Sequence, residues 1–428
     1  MEPQLSEIMF KKPSGSYRIL HTADWHLGKL LEEQSREEEH ARFLDWLLEA
    51  VAEHQVDAIL LAGDVFDSGN PPQSAVARYF DFVSELFRQG DCALVVIAGN
   101  HDSALQLEAP KRVLHALNVH VVGSIASEPV DRILYLPDRE HPKVAIAMLP
   151  FLRDRDLRVG KAGESSDEIR AQLVAGIRQR YDEVVEAFQD GKSSCPLLAT
   201  GHLTVVGAAE SPSEERKIHI GGLGAVTSAS FSKIFSYVAL GHLHRPQATD
   251  AEGRVRYAGS PISLSFSESG AQKEVRILDV LPDRIDQQAL PIPVIRRLSQ
   301  IRTTVAGLEK ALVEFDSAPG ELRTWVEVVV EDATLHDDLN EQVRVLTEAL
   351  NFDVLKVLRG GSAVNSAMVV GEGTDDKTIE MLLDDPACVF EHLLGKHEQL
   401  DEKQVEELKI AFASLLEAEA QSETTVIS

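Results

Sequence analysis

The amino-acid sequence predicts an α/β (α+β layered) fold of sheets and helices, followed by a small α+β domain and a C-terminal helical segment. Three observations support this prediction. From Tyr17 to about Val280, short apolar runs alternate with amphipathic segments, which is typical of layered α/β domains. The apolar runs are rich in Val, Ile and Leu, as buried strands are. The segments between them carry apolar residues at helical spacing.

Five apolar runs are predicted to be the strands of the first domain. They cover residues 18–21, 58–62, 93–98, 196–199 and 237–240. Two helices are predicted between the strands, over residues 37–53 and 74–89, where apolar side chains recur every three or four positions. The domain is therefore expected to span residues 17–281, after a flexible N-terminus over residues 1–16.

A second, smaller domain is predicted over residues 295–370, after a linker that contains Pro282, Pro291 and Pro293. Its apolar pattern alternates between helical and strand-like stretches, so a small α+β domain is expected. The stretches in order are a helix over 305–315, a strand over 325–330, a helix over 336–350 and a strand over 354–358.

The C-terminal segment is acidic and carries regular apolar stripes. Residues 379–417 are predicted to form helices, and residues 420–428 a disordered tail. From the residues alone, the stripes fit an intramolecular core and a partner-docking surface equally well.

The formal net charge of −27 argues against a nucleic-acid binder, because nonspecific DNA affinity comes mainly from Lys and Arg. The charge is uneven, however. Residues 371–428 hold 15 acidic and 4 basic side chains, whereas residues 141–180 and 291–310 are mildly basic. Any DNA-binding surface is therefore expected outside the acidic tail.

Apolar runs and cysteine spacing in the sequence indicate the expected location of the protein and the role of its cysteines. The sequence has no apolar run of the roughly 18 residues that a membrane span needs and no apolar signal core near its start, so a cytoplasmic protein is expected. Cys92, Cys195 and Cys388 lie far apart without a CxxC spacing, so neither a disulfide framework nor a zinc knuckle is predicted.

Polar side chains able to bind metal follow each of the five predicted strands. The candidate ligands are Asp24, His26, Asp64, Asn100, His202, His242 and His244. Because ligands of layered α/β folds bind at the carboxyl ends of strands, these side chains are expected to converge on one site. Carboxylate, imidazole and amide ligands suit ions such as Mn²⁺ or Fe²⁺. Two adjacent ions need a bridging carboxylate, for which Asp64 is the candidate.

Each of these residues also has an ordinary interpretation. A lone His202 after a strand is more often a hydrogen-bonded turn or core residue than a ligand. Gly63-Asp64 alone is an ordinary turn, and Asn100 alone is usually a helix cap. The recurrence at five strand ends favours the metal site over these separate explanations.

The order of these motifs resembles the calcineurin-like metallophosphoesterase superfamily. The motifs in order are Asp-x-His, Gly-Asp, Gly-Asn-His-Asp, Gly-His and Gly-His-x-His. Longer stretches, at residues 18–28, 62–72, 199–204 and 257–262, resemble the bacterial SbcD family of nuclease subunits. The resemblance implies a metallophosphoesterase β-sandwich flanked by helices, with a small cap domain. It extends from about Tyr17 to about Leu416.

The resemblance also implies roles for the site residues. One ion would be held by Asp24, His26, Asp64 and His244, and the other by Asp64, Asn100, His202 and His242. His101 matches the catalytic histidine of the family, and Asp102 is expected to orient its ring. Asp67 stands where the archaeal and eukaryotic branch tends to carry a histidine that positions DNA, so Asp67 is left out of the catalytic set.

For the function, the resemblance implies an Mn²⁺-dependent DNA nuclease with 3′ to 5′ exonuclease activity on duplex ends and endonuclease activity on single strands and hairpins. It implies a nucleoid-associated heterotetramer, in which a homodimer of this subunit works with an SbcC-type coiled-coil ATPase. The cap over 295–370 would contact DNA, and residues 379–417 would dock on the ATPase. Roles in recombination, replication and repair would follow.

Two rival functions remain open at this stage. A phosphatase or cyclic-nucleotide phosphodiesterase uses the same metal scaffold, but a small-molecule esterase needs neither the additional domain nor the helical segment. A non-catalytic scaffold that only holds an ATPase is the second rival. All seven expected ligands are present in the sequence, which disfavours a catalytically inactive site.

Overall fold

All five apolar runs predicted as strands form buried strands in the computed structural model. The structure describes residues 10–161, 164–205, 226–315, 321–333 and 338–360. The strands of the first domain are β1 (Tyr17–Thr22), β2 (Leu30–Leu31), β3 (Gln34–Ser35), β4 (Ala58–Ala62), β5 (Ala93–Ile97), β6 (Val119–Val122), β7 (Ile133–Leu136), β8 (Val144–Ala147), β9 (Leu197–His202), β10 (Phe235–Gly241), β11 (Gln247–Ala248), β12 (Val255–Tyr257), β13 (Glu274–Val280) and β14 (Ile285–Pro291).

The helices of this domain lie between the strands in sequence. They are α1 (Glu37–Glu53), α2 (Gln73–Gln89), α3 (Ala104–Glu108), α4 (Lys111–Ala116), α5 (Asp154–Leu157) and α6 (Ser166–Asp190). Helices α1 and α2 match the two predicted helices to within one residue. Of the helices that the structure describes, none is long and apolar enough to cross a membrane.

Two six-stranded sheets face each other and form a β-sandwich. The first has the strand order β14-β13-β1-β4-β5-β6, and the second has the order β11-β12-β10-β9-β8-β7. Four adjacent strands in each sheet are parallel, and antiparallel strands complete the edges. Fully buried side chains of both sheets, such as Leu60 and Val95 of the first and Leu198 and Ala239 of the second, pack between them.

Helices cover the outer faces of the sandwich. Phe43 of α1 and Phe82 of α2 belong to the same buried cluster as Ile59 of β4, and Tyr181 of α6 belongs to the same cluster as Leu240 of β10. Apolar side chains of each strand thus alternate between the inter-sheet core and a helical layer, which explains the continuous apolar runs in the sequence. The predicted sandwich flanked by helices is confirmed.

In the described residues, the sandwich is followed by a three-stranded sheet with two helices, where the smaller domain is predicted. Its elements are β15 (Arg296–Thr303), α7 (Leu308–Glu314), β16 (Leu322–Val330), α8 (Leu339–Thr347) and β17 (Phe352–Arg359), and the sheet order is β15-β16-β17. The two helices and the last two strands fall within or overlap the predicted stretches. Strand β15 was not predicted, because its mixed polar and apolar residues give only a weak strand pattern.

The stretch that was expected to be a linker also differs from the sequence-based expectation. Residues 285–291, expected to be part of a linker, form the edge strand β14, which pairs with β13 over seven residues. The first sheet therefore continues past residue 281. Pro291 is compatible with this position because an edge strand leaves backbone groups without a sheet partner.

The chain divides into two compact units. The elements above lie in the first unit, residues 1–329 and 338–357. The exceptions are the last residue of β16 and the last two residues of β17, which lie in the second unit. The second unit comprises residues 330–337 and 358–428, of which the structure describes 330–333 and 358–360. The predicted helices over 379–417 and the tail over 420–428 lie outside the described residues, as do residues 361–370 of the predicted cap.

Candidate metal centre

The seven candidate ligands lie at the carboxyl ends of strands β1, β4, β5, β9 and β10. Six of them are buried, and Asn100 is half-buried. Strands β1, β4 and β5 belong to one sheet and β9 and β10 to the other, so the two facing sheets bring their strand ends together at one edge of the sandwich. This is the convergence that the recurring polar strand ends predict.

The backbone at this edge adopts unusual conformations. Four candidate ligands have positive φ: Asp24 (52°), His26 (47°), Asp64 (49°) and His242 (101°). Side-chain-bearing residues rarely adopt this region, and such strain concentrates at functional sites. Gly99 is needed for close packing here, because a Cβ at that position would collide with Oδ1 of Asp64.

Asp24, His26 and His244 form the first cluster of ligand atoms. One ligand atom from each lies within 4.8 Å of the others. Oδ2 of Asp24 and Nε2 of His26 are buried without a hydrogen-bond partner. Leaving such atoms unpaired costs roughly 1–3 kcal/mol each, and a bound cation would satisfy both. The donor set therefore fits a divalent ion.

A second set of ligand atoms surrounds the side-chain oxygen of Asn100. Nε2 of His202 lies 3.0 Å and Nδ1 of His242 lies 3.1 Å from this oxygen. His202 donates its Nδ1 hydrogen to the carbonyl of Ala62 at 3.0 Å, so Nε2 is the ring nitrogen that faces Asn100 and Asp64. A cation bound between these atoms would take the place of the proton on Nε2.

Asp64 lies between the two sets. Its Oδ2 is 3.2 Å from Nε2 of His202 and 3.5 Å from Nε2 of His26. Burial raises the pKa of Asp64, but the nearby His202 and His26 rings outweigh this and hold it below its usual range. Burial lowers the pKa of His202, yet the Asp64 carboxylate raises it to about 9. The pocket thus favours positive charge beside Asp64.

His101 lies at the rim of this cluster. It is half-buried, and its ring stands edge-on to that of His26, with centroids 4.8 Å apart. Its Nδ1 donates to the backbone carbonyl of Asp67 at 2.7 Å, which leaves Nε2 as the second ring nitrogen. His26, Asp64 and His101 also offer ligand atoms within 4.8 Å of one another.

Asp102 contacts the backbone and not the His101 ring that it was expected to orient. Its carboxylate accepts hydrogen bonds from the N–H groups of Val65 (3.1 Å), Phe66 (3.0 Å) and Gly99 (2.9 Å). The expected orienting contact is corrected accordingly, since the Asp67 carbonyl holds the ring. Burial, together with Asp64, raises the pKa of Asp102 to about 6. Asp102 fixes the loop that carries Asp64.

Sequence reasoning missed two carboxylates that contact candidate ligands. Oδ1 of Asp67 lies 3.1 Å from Nδ1 of His26, and Oε1 of Glu268 lies 3.3 Å from Nδ1 of His244. The sequence-based catalytic set excludes Asp67, although its place three residues after Asp64 is a usable signal. Glu268 carries no local motif, because it is 24 residues from His244 in sequence.

Comparisons with known proteins agree with this architecture. The model of a family described as calcineurin-like phosphoesterase matches residues 17–246, and that of the Type 5 capsule protein repressor C-terminal domain matches residues 294–398. The SbcD subunit of the nuclease SbcCD from Escherichia coli strain K12 is 38% identical over 404 residues, covering 93% of this chain and 98% of that protein.

SbcD subunits from two further bacteria match over shorter stretches. The Rhodobacter capsulatus protein is 40% identical over 293 residues, covering 66% of this chain and 72% of that protein. The Bacillus subtilis protein is 38% identical over 268 residues, covering 62% and 66%. With more than half of its length in the phosphoesterase match and nearly all of it in the first alignment, the chain belongs to the calcineurin-like phosphoesterases and, within them, to the SbcD family of SbcCD nuclease subunits.

Proposed function

We propose that this chain is a metal-dependent nuclease that hydrolyses DNA phosphodiester bonds as the SbcD component of an SbcCD-type complex. The observation that carries the proposal is the convergence of two sets of ligand atoms on Asp64. Its relatives are named as nucleases, which favours DNA over the small-molecule substrates that other enzymes on this scaffold use.

Two divalent ions are proposed to occupy the site. Asp24, His26 and His244 would hold one, Asn100, His202 and His242 the other, and Asp64 would bridge them. Bound there, two ions supply Lewis-acid stabilisation of phosphoryl charge and lower the pKa of an attacking water. The mixture of carboxylate, imidazole and amide ligands suits ions such as Mn²⁺ or Fe²⁺, and Mn²⁺ is the proposed occupant.

His101 is proposed as the group that handles the proton of the leaving oxygen. The Asp67 carbonyl holds its Nδ1 hydrogen, so a second proton would be carried on Nε2. The His101 ring is half-buried at the rim, whereas the ligand histidines are buried, so His101 is the histidine proposed to donate to a substrate oxygen. An imidazole suits this task because it can carry a proton on either ring nitrogen and pass it to a reacting oxygen.

The cap is proposed to contact DNA despite the acidic composition of the whole chain. Arg297 and Arg302 are exposed on β15, in one of the two mildly basic stretches. Together with bound cations, these side chains would offset part of the net charge locally.

An SbcC-type coiled-coil ATPase is the proposed protein partner, with residues 379–417 as its docking segment. The chain contains no GxxxxGK[ST] motif, so ATP dependence would come through that partner.

A homodimer within a heterotetramer is also proposed. Its interface is proposed to involve helices of the first domain, among which α3 and α4 expose Leu105 (85%) and Val113 (67%). A cytoplasmic, nucleoid-associated role in recombination, replication and repair would follow.

A nuclease assay with Mn²⁺ tests the proposal. Blunt duplexes and hairpins labelled at either end distinguish 3′ to 5′ exonuclease from endonuclease products, with and without the ATPase subunit and ATP. We expect both activities, and stimulation by ATP only with the partner. Hydrolysis of a generic phosphodiester ester without cleavage of any DNA would favour the small-molecule esterase instead.

A further inference from the structure

The candidate ligand histidines differ in what holds the ring nitrogen that faces away from the cluster. In His202 this nitrogen donates to a neutral backbone carbonyl, that of Ala62. In His244 the Nδ1 hydrogen points to a carboxylate, that of Glu268, at 3.3 Å. A carboxylate makes an imidazole more basic and fixes its tautomer, which strengthens its bond to a metal ion.

Glu268 is held in place by a buried lysine. Glu268 is only 7% exposed, and its Oε2 accepts from Nζ of Lys273 at 2.6 Å and from the backbone N–H of Leu264 at 3.2 Å. The two carboxylate oxygens are thus divided, with Oε2 bound by Lys273 and Leu264 and Oε1 directed at His244.

Lys273 also fixes the backbone of the same histidine. Its Nζ donates to the carbonyl of His244 at 3.0 Å and to the hydroxyl of Ser260 at 2.9 Å. All three ammonium hydrogens therefore have acceptors, and the lysine is 7% exposed. Glu268 and Lys273 together restrain both the ring and the main chain of His244.

We propose that Glu268, held by Lys273, is a positioning residue that orients His244 and selectively strengthens the ion position formed by Asp24, His26 and His244. The proposal rests on the function proposed above, in which His244 is a ligand. Because the Glu268 carboxylate contacts His244 and the Ala62 carbonyl contacts His202, removing the carboxylate weakens one ion position and leaves the other unchanged.

The competing explanation is that Glu268 and Lys273 form a buried ion pair with a structural role only. Breaking any buried ion pair destabilises a protein, so a fall in thermal stability does not separate the two explanations. A measurement of metal affinity separates the two explanations. Removing an outer hydrogen-bond partner of a ligand typically lowers metal affinity roughly 10- to 100-fold.

The test compares Glu268→Gln with the matched control Asp279→Asn in the full-length chain. Asp279 also forms a buried ion pair, with both oxygens 2.8 Å from the guanidinium of Arg18, and both side chains are 1% exposed. Mn²⁺ is titrated into metal-free protein by calorimetry, and free Mn²⁺ is followed by electron paramagnetic resonance.

We expect the wild type to bind two Mn²⁺ ions. Glu268→Gln should bind one with unchanged affinity and the other about 10- to 100-fold more weakly, whereas Asp279→Asn should keep both affinities while its melting temperature falls. If Glu268→Gln does not fold, Glu268→Gln combined with Lys273→Met removes both charges and should show the same selective loss.

Unchanged affinity for both ions in a folded Glu268 variant would overturn the inference and leave the proposed function standing. Equal weakening at both positions would also overturn it. A wild-type protein that binds fewer than two Mn²⁺ ions would instead contradict the proposed two-ion site, so the two failures are distinguishable.

Discussion

The backbone N–H of His101 donates a hydrogen bond to Oδ1 of Asp64 at 2.9 Å. The other oxygen, Oδ2, faces Nε2 of both His26 and His202. One carboxylate therefore links the backbone of the proposed proton donor to both sets of ligand atoms. Substitutions at the two residues should separate metal binding from chemistry.

Asp64→Ala should reduce metal content at both ion positions, because the shared carboxylate is lost. Elemental analysis of protein equilibrated with Mn²⁺ measures this directly. Asp57→Asn is the control, since Asp57 precedes the same strand at its opposite end and accepts from the N–H of Arg18. Full two-ion occupancy in Asp64→Ala would contradict the bridging role.

His101→Ala should keep both ions and the affinity for DNA, but lose cleavage rate by roughly 10²- to 10⁴-fold, as is typical for an acid–base group. Single-turnover cleavage and DNA binding in Ca²⁺ would be measured beside metal content. Because a ring nitrogen of His101 can also reach His26 and Asp64, loss of metal in this variant would identify it as a ligand instead.

Glu39→Ala should destabilise the chain by about 3–5 kcal/mol, the usual cost of leaving buried charges unpaired. Oε1 of Glu39 accepts from Arg36 at 2.8 Å and from Arg296 at 2.7 Å, and the Arg296 guanidinium lies 4.0 Å from the ring centroid of Trp325 in the cap. Urea unfolding followed by tryptophan fluorescence measures the free energy of unfolding.

The neighbouring Glu38 supplies a matched control for this prediction. It pairs with Arg42 at 2.9 Å, but its side chain is 58% exposed. Exposed pairs contribute less than about 1 kcal/mol, so Glu38→Ala should be nearly neutral. A Glu39→Ala variant as stable as Glu38→Ala would show that the ion pairs of Glu39 with Arg36 and Arg296 do not stabilise the chain.

Acid should destabilise the protein partly through His21, which is fully buried beside Tyr237. Burial lowers the pKa of His21 from 6.5 to about 3. Between these values the unfolded chain binds a proton that the folded chain does not, so stability falls as pH decreases through this window and levels off below it. The slope from one such group is at most about 1.4 kcal/mol per pH unit.

His21→Gln should remove this contribution, because glutamine does not titrate. The difference in unfolding free energy between wild type and variant, measured from pH 7.5 to pH 4, should shift against the wild type as pH falls below about 6.5. Parallel pH profiles would show that His21 is protonated equally in both states. His141→Gln, at a side chain 84% exposed, is the control.

Truncation after Gly371 should leave metal binding and basal nuclease activity intact and abolish ATP-dependent stimulation by the ATPase subunit. The removed residues carry a net charge of about −11, which disfavours contact with phosphates, yet their apolar stripes suit a protein partner. Co-purification, nuclease assays and thermal melting test both chains. Full-affinity partner binding by the folded truncated protein would place the docking site elsewhere.

Sequence patterns predict five of the twelve strands in the two described sheets, and the identity of the residues that follow them. The runs 58–62 and 93–98 are continuously apolar because both faces of each strand are buried, so the pattern is local and readable. Asp64 and Asn100 were predictable for the same reason, since only one glycine separates each of them from such a run. The weaker alternation of β15 and the edge position of β14 gave no comparable signal.

Which side chains support the site depends on how distant segments of the chain pack together. Glu268 reaches His244 across 24 residues, and Arg296 reaches Glu39 across 257. Asp102 adjoins His101 in sequence yet binds backbone N–H groups of another loop. Apolar periodicity records only whether a residue is buried, whereas the partner of a buried charge depends on how distant segments pack. Apolar periodicity in the sequence therefore predicts which residues follow the strands. Only the folded structure shows which side chains orient those residues.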